Sequence, residues 1–248
     1  MSRVYLPGPW AEGQTLPLPE PAHRHLIQVL RLRDGDSVAV FDGVGHEAPA
    51  RLTDIGKRSG NLQLGAVTTP NRESPLDITL LQCVSKGDRM DYTLQKAVEL
   101  GVTRIQPLRS ERSVVKLDAE RWEKKRLHWE GVIVSACEQS GRTRLPPLLP
   151  VTDLESGLTD LPADRLKLTL LPGATTSLRQ LPAPTAGIAL LIGPEGGLSS
   201  AEAARAQAAG FVAVHLGPRI LRTETAGVAT LAALQALWGD WQPTDKTA

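Results

Sequence analysis

The chain has 248 residues and only two cysteines, Cys83 and Cys137. Two thiols give neither a disulfide framework nor a zinc set, and they fit a reducing compartment. Aromatic residues make up 4%, so Leu, Val, Ile and Ala must build the core. No apolar run approaches the roughly 20 residues that a membrane helix needs. The opening stretch, Met1 to Pro7, has no apolar segment of the kind a signal peptide carries, and the expected location is the cytoplasm. Five histidines (His23, His25, His46, His128, His215) are scattered, and no pair has metal-ligand spacing beside a carboxylate. No metal is expected. There is no Gly-x-Ser-x-Gly elbow and no P-loop, so serine-hydrolase and P-loop phosphate chemistry find no support.

What is present is an ordinary globular composition, 41% hydrophobic and 22% charged. The length suits one large domain or two modest ones. The net charge of +1 excludes a protein that is basic throughout. The charge is uneven, however. Residues 104–144 carry ten basic and six acidic side chains, net +4, which makes this block the candidate polyanion surface.

The first 70 residues read as a β-rich module with one helix. Apolar spacing through His25, Leu26, Val29 and Leu30 predicts a helix opened by Glu20-Pro21. Ser37–Phe41, Ala48–Ile55 and Leu62–Thr68 read as strands separated by tight turns, which suggests a small barrel. Thr69 to Pro75 is a linker by composition. Beyond it, Ile78–Val84, Val102–Leu108, Leu166–Leu171, Ile188–Ile192 and Phe211–Leu216 read as strands. Met90–Leu100, Asp118–Gln139, Ser199–Ala209 and Ala226–Trp238 read as helices between or after them. The Ile78–Val84 run is predominantly apolar, as in a strand buried on both faces. Ser199 and Glu202 form a capping box, and Gly210 ends that helix. Alternating strands and helices predict an α/β domain with a mostly parallel sheet. The expected division is 1–70 and 71–248.

Gly43-Val44-Gly45-His46-Glu47-Ala48 fits a dinucleotide-binding pattern. That site requires a helix to begin there, whereas Pro49 and a strand follow, so a hairpin is the better reading. The informative segments lie near the C-terminal end. Ile192-Gly193-Pro194-Glu195-Gly196-Gly197-Leu198 follows a buried strand and precedes a capped helix. Three glycines in five positions permit positive φ and close backbone approach. A loop at the carboxyl end of a strand in an α/β sheet is where ligands bind; a plain strand–helix connection is the alternative. Leu216-Gly217-Pro218-Arg219-Ile220-Leu221-Arg222-Thr223-Glu224-Thr225-Ala226 repeats the arrangement after the next strand. Thr223 or Thr225 is a candidate helix cap, and Arg222 with Glu224 a candidate salt bridge. Glu195 suits either a structural ion pair or hydrogen bonds to a ligand.

These two segments together resemble the signature of the ribosomal RNA small subunit methyltransferase E family, part of the SPOUT superfamily. Three further stretches are similar to the same family, in the same order. They are Lys86-Gly87-Asp88-Arg89-Met90 with Gln95-Lys96-Ala97-Val98-Glu99-Leu100-Gly101-Val102, then Ser110-Glu111-Arg112-Ser113-Val114-Val115-Lys116, then Glu138-Gln139-Ser140-Gly141-Arg142. The resemblance covers most of residues 20–238. Cys137 stands where small residues such as Ala are usual, and no functional effect is expected. The resemblance implies an α/β fold with a C-terminal trefoil-knotted methyltransferase domain after a PUA-like β-barrel. It implies a homodimer and S-adenosyl-L-methionine as methyl donor. It further implies methylation of N3 of one uridine in 16S rRNA, in the decoding region of the small ribosomal subunit. Two rival readings are a SPOUT enzyme acting on tRNA or large-subunit rRNA, and a non-catalytic RNA-binding assembly protein.

On that reading, cofactor contacts are expected from Leu171, Pro172, Gly173, Ile192, Gly193, Pro194, Glu195, Gly196, Gly197, Leu216, Gly217, Ile220, Leu221, Thr225 and Ala226. Arg222 is the candidate to stabilise negative charge on the uridine oxygens. Glu224, or else Glu195, is the candidate base. RNA contacts are expected from Arg24, Arg31, Arg33, Lys86, Arg89, Arg109, Arg112, Lys116, Arg142 and Arg144, through phosphate neutralisation. A solvated surface charge is the alternative for each of these.

Overall fold

The computed structural model describes residues 1–113, 115 and 117–241. These residues form two compact units. The first joins Met1–Glu73 to a returning segment, Val134–Leu145; the second holds Ser74–Ile133 and the chain from Pro146 onward.

The first unit contains β1 (Arg3–Tyr5), β2 (Thr15–Pro17), α1 (Glu20–His23, continued as a π-helix over Arg24–Val29), β3 (Ser37–Phe41), β4 (Glu47–Thr53) and β5 (Asn61–Leu64). The strands make one sheet in the order β1-β3-β4-β5-β2. Along β4, Ala48, Ala50 and Leu52 are buried while their neighbours are more open, the period-two pattern of a strand with one covered face. Leu26, Val38, Val40 and Leu62 complete that core. The Gly43–His46 stretch is the β3–β4 turn, as the hairpin reading requires. The Asp42 carboxylate fixes it, accepting from the amides of Val44 (2.8 Å) and His46 (2.9 Å) and contacting His46 Nδ1 (2.5 Å).

The return of 134–145 has a physical cause that lies outside any local pattern. Glu138 accepts from the Tyr5 amide at 3.1 Å. Arg3 donates to the Arg142 carbonyl at 3.1 Å. The Leu145 amide donates to the Gly43 carbonyl at 2.9 Å.

The second unit contains β6 (Ile78–Cys83), α2 (Asp88–Glu99), β7 (Arg104–Arg109), the first part of α3 (Ala119–Ser140), β8 (Thr152–Asp153), α4 (Leu154–Thr159), β9 (Leu166–Leu170), β10 (Thr176–Ser177), β11 (Ile188–Ile192), α5 (Ser200–Ala208), β12 (Val212–His215) and α6 (Thr223–Trp238). Its seven strands run in the order β10-β12-β9-β11-β6-β7-β8, every pairing parallel. Central β6 and β11 are buried at every position, which explains why both are mostly apolar. Leu81, Ala189 and Leu191 pack with Leu154 and Leu158 of α4 and Ala206 of α5. Gln82 and Ile192 face the other way, toward Gly227 of α6, and α2 packs on α6. Helices therefore cover both faces of the sheet. The Ser199–Glu202 capping box opens α5 as expected, and the buried Glu202 also accepts from the Glu111 amide at 2.7 Å. The helix expected over Ala226–Trp238 begins earlier, at Thr223.

Both cysteines are buried, and burial pushes each thiol up to about 12, so neither is a thiolate nucleophile near neutral pH. Among the described residues no helix is long and apolar enough to cross a membrane.

Burial acts to raise the Asp42 carboxyl, but the hydrogen bonds from Val44 and His46 outweigh it and hold it below its ordinary value. A depressed folded-state value contributes stability that is fully present above the unfolded carboxylate range, roughly pH 4. That contribution is lost as pH falls through the folded value. Asp42→Asn is therefore expected to be less stable than the wild type at pH 7 and to converge on it toward pH 3. Urea unfolding across that range checks this; a stability gap that stays constant would disprove it.

Candidate functional site

Three loops leave the carboxyl ends of β9, β11 and β12, which are neighbours in the sheet. They converge on a cleft of about 970 Å³, within the size range of small-molecule sites. Leu171, Pro172 and Gly173 enter from β9. Ile192, Gly193, Pro194, Glu195, Gly196 and Gly197 enter from β11. Leu216, Gly217, Ile220, Leu221, Arg222, Glu224 and Ala226 enter from β12 and the start of α6. The sequence thus identifies this wall almost residue by residue. Thr225 is the correction: it is exposed and does not line the cleft. It sits one position beyond Glu224 on the first turn of α6 and so faces another direction.

Two glycines show why the loops need that residue. Gly217 has φ +98° and Gly197 φ +68°, a region that Cβ-bearing residues rarely adopt. A Cβ built on Gly197 would meet nothing within 4 Å, so the absent side chain leaves open space at the cleft wall. Backbone surface is exposed there to a ligand.

Thr223 joins the two principal loops. Its hydroxyl donates to the Gly193 carbonyl at 2.7 Å and accepts from Gln82 Nε2 at 3.2 Å. It therefore does not cap α6, and neither does Thr225: the N-cap residue is Arg222, without a side-chain cap bond. Gln82 is missed by the reading of motifs. Its signal is a single amide inside the otherwise amide-free and mostly apolar β6, since a buried polar group requires partners.

The alternative reading of Arg222 and Glu224 as a salt bridge finds no support: no such pair is made among the described residues. Glu224 Oε1 instead lies 3.8 Å from Arg89 Nε. Arg222 is exposed, and no hydrogen bond or ion pair joins its guanidinium to the described residues. Arg89 also pairs with Glu195 at 3.1 Å, and Glu195 accepts from the Lys86 amide at 2.9 Å. Burial works to raise the Glu195 carboxyl, but the Lys86 amide, its own amide and Arg89 together hold it below the ordinary carboxylate range. Glu195 is thus a fixed anion and a poor proton acceptor at neutral pH.

The basic residues expected to meet RNA divide into three groups. Arg89 and Arg112 belong to the cleft wall, and Arg112 donates to the Gly196 carbonyl at 2.9 Å. Arg24, Arg31, Arg33, Lys86, Arg109 and Arg144 are exposed. Arg109 also lines a second cavity of about 300 Å³ with Ser110, Ser113, Trp122 and Asp153. Arg142 is the correction. It is 5% exposed and its guanidinium holds the Glu73 carboxylate, so it binds an internal anion where a phosphate contact was expected. Lys116 lies outside the described residues.

Comparison with known proteins agrees with this geometry. A model of an RNA methyltransferase domain matches residues 72–235, and a model of an RNA methyltransferase PUA domain matches residues 18–64. The ribosomal RNA small subunit methyltransferase E of Buchnera aphidicola (subsp. Schizaphis graminum) is 33% identical over 238 residues, 96% of this chain and 97% of that one. The Bacillus subtilis protein of the same name is also 33% identical, over 85% of each chain. The crystal structure of the Neisseria gonorrhoeae ribosomal RNA small subunit methyltransferase E, bound to S-adenosyl methionine, superposes with a TM-score of 0.91. It is 45% identical and covers 98% of this chain and 100% of that one. Similarity at this level over nearly the full length, with matching models on both units, means that the chain belongs to the ribosomal RNA small subunit methyltransferase E family.

Proposed function

We propose that this protein transfers a methyl group from S-adenosyl-L-methionine to N3 of a single uridine in 16S rRNA, in the decoding region of the small subunit. The observation that carries the proposal is the cleft built by three adjacent strand-end loops, with Arg222, unpaired among the described residues, at its wall. The residues fit the cofactor: glycine backbone at Gly173, Gly193, Gly197 and Gly217 for close approach, and a volume suited to a nucleoside-sized ligand. When bound, S-adenosylmethionine supplies a methyl carbon on a positively charged sulfur, and the carbon–sulfur bond breaks as the carbon–N3 bond forms.

The chain's own residues manage proton and charge. The N3–H bond must break, and Glu224 is assigned as the acceptor of that proton. As the proton leaves, negative charge spreads to O2 and O4 of the base. Arg222 is assigned to stabilise it, because a guanidinium with no partner among the described residues is available to a developing oxyanion. The PUA-like first unit is assigned to RNA binding and the knotted second unit to catalysis, the protein acting as a homodimer in the cytoplasm. Arg24, Arg31, Arg33, Lys86, Arg109 and Arg144, all exposed, are assigned to the phosphate backbone. No step calls for a metal.

Three outcomes are expected. Gly217→Val, which forces a β-branched side chain into a positive-φ position, should abolish S-adenosylmethionine binding by calorimetry in protein that retains its circular dichroism spectrum; unchanged affinity would remove this loop from the site. Arg222→Ala should lower turnover on small-subunit rRNA roughly a hundredfold or more, from a lost stabilisation of about 2.7–4 kcal/mol, with cofactor affinity intact. Full turnover rules out the oxyanion role. Replacing Arg31 and Arg33 together by Ala should reduce the slope of log affinity for rRNA against log salt by about two; an unaltered slope means these residues do not contact phosphate.

A further inference from the structure

Arg89 stands between two carboxylates that come from different parts of the chain. Its Nη1 lies 3.1 Å from Glu195 Oε1 and its Nε 3.8 Å from Glu224 Oε1. The two carboxylates are not held alike. Glu195 is fixed from both sides, by Arg89 and by the Lys86 amide at 2.9 Å. Glu224 has Arg89 alone on one oxygen, at a distance too long for a good hydrogen bond. Its other oxygen, Oε2, is shielded from solvent and has no hydrogen-bond partner among the described residues. The result is a series: an anchored anion, a guanidinium, and a second carboxylate whose bonding capacity is incompletely used.

The guanidinium is planar and its five donors are rigidly disposed. Anchoring one edge on Glu195 therefore sets where the remaining donors point. Arg89 lies in the first turn of α2, next in the chain to the buried Met90, so its backbone is held by the helix. A phosphate arriving at Arg89 would compete with two carboxylates already in place, which disfavours a backbone-contact role. Arg222, with no such pairing, is the guanidinium left available to the substrate.

We propose that Arg89, anchored by Glu195, is a positioning residue that holds the Glu224 carboxylate in place for proton transfer from the substrate. This rests on reading the cleft as the methyl-transfer site. It assigns Glu195 to the support of Arg89, and it removes Arg89 from the RNA-contacting set.

The test is steady-state kinetics on small-subunit rRNA for the full-length wild type, Arg89→Gln, Arg89→Lys, Glu224→Gln and the Arg89→Gln/Glu224→Gln double variant, with cofactor affinity from calorimetry. Arg89 is 43% exposed, so its replacement leaves the fold intact. Arg89→Gln should lower kcat roughly tenfold to a hundredfold, the scale of a misplaced catalytic group. KM for rRNA and cofactor affinity should stay within about twofold, and Arg89→Lys should recover part of the loss. In the Glu224→Gln background, Arg89→Gln should cost nothing further, because the group it positions is already gone. A raised KM with kcat intact, or the same loss in both backgrounds, overturns the positioning role while leaving methyl transfer standing. A wild-type protein that does not methylate the rRNA overturns the reading of the cleft, and this proposal with it.

Discussion

The constraint on which the site depends is the hydroxyl of Thr223. It donates to the Gly193 carbonyl and accepts from Gln82. A neutral buried hydrogen bond contributes only about 0.5–1.5 kcal/mol net, yet leaving such groups unpaired costs about 1–3 kcal/mol each. Gln82 sits on central β6 with no exposure at all, and its amide nitrogen finds its partners within the protein, at the Cys83 carbonyl (3.0 Å) and the Thr223 hydroxyl. That pairing ties the first turn of α6 to the loop after β11. Arg222 immediately precedes Thr223 and Glu224 immediately follows it, so both are carried to the cleft wall by a largely buried residue whose hydroxyl is held by the protein itself.

The same bond explains why helix α6 starts where it does. A threonine whose hydroxyl is engaged by the neighbouring loop cannot turn back to cap its own helix, and no side chain takes its place. The uncapped amides at this end of α6 adjoin the cleft, with Arg222 at the N-cap position. Here the helix start is dictated by tertiary contact, which overrides the local signals that place it at Ala226.

The parts of the fold that the sequence reveals are those whose cause is local. β6 and β11 are mostly apolar because both faces are covered. The α5 capping box is read directly from Ser199 and Glu202. The glycine-rich loops announce themselves because positive φ has a residue-type cost. What escapes is structure with a distant cause. Strands of two or three residues, such as β1, β8 and β10, are defined by their partners and have no periodicity to detect. Helix α4 is similarly short. The return of 134–145 to the first unit depends on Tyr5, Arg3 and Gly43, more than 90 residues away in the chain. Arg142 looks like any surface arginine beside a glycine, and only the fold brings Glu73 against it.

Charge provides the last link. The chain is almost neutral overall, yet the cleft gathers Arg89, Arg112, Arg219 and Arg222 around two carboxylates. Pairing, rather than number, decides what each arginine can do. Arg112 is engaged by a carbonyl, and Arg89 takes both Glu195 and Glu224. Had Glu224 paired with Arg222, two residues away, the wall would have been electrostatically closed, with its cation and anion cancelling. Because Arg89 reaches across from α2 to claim Glu224, Arg222 retains its full capacity for an incoming negative charge. The separation of a bound cation from an available one therefore originates in the packing of α2 on α6, and the chemistry proposed for the cleft follows from that packing.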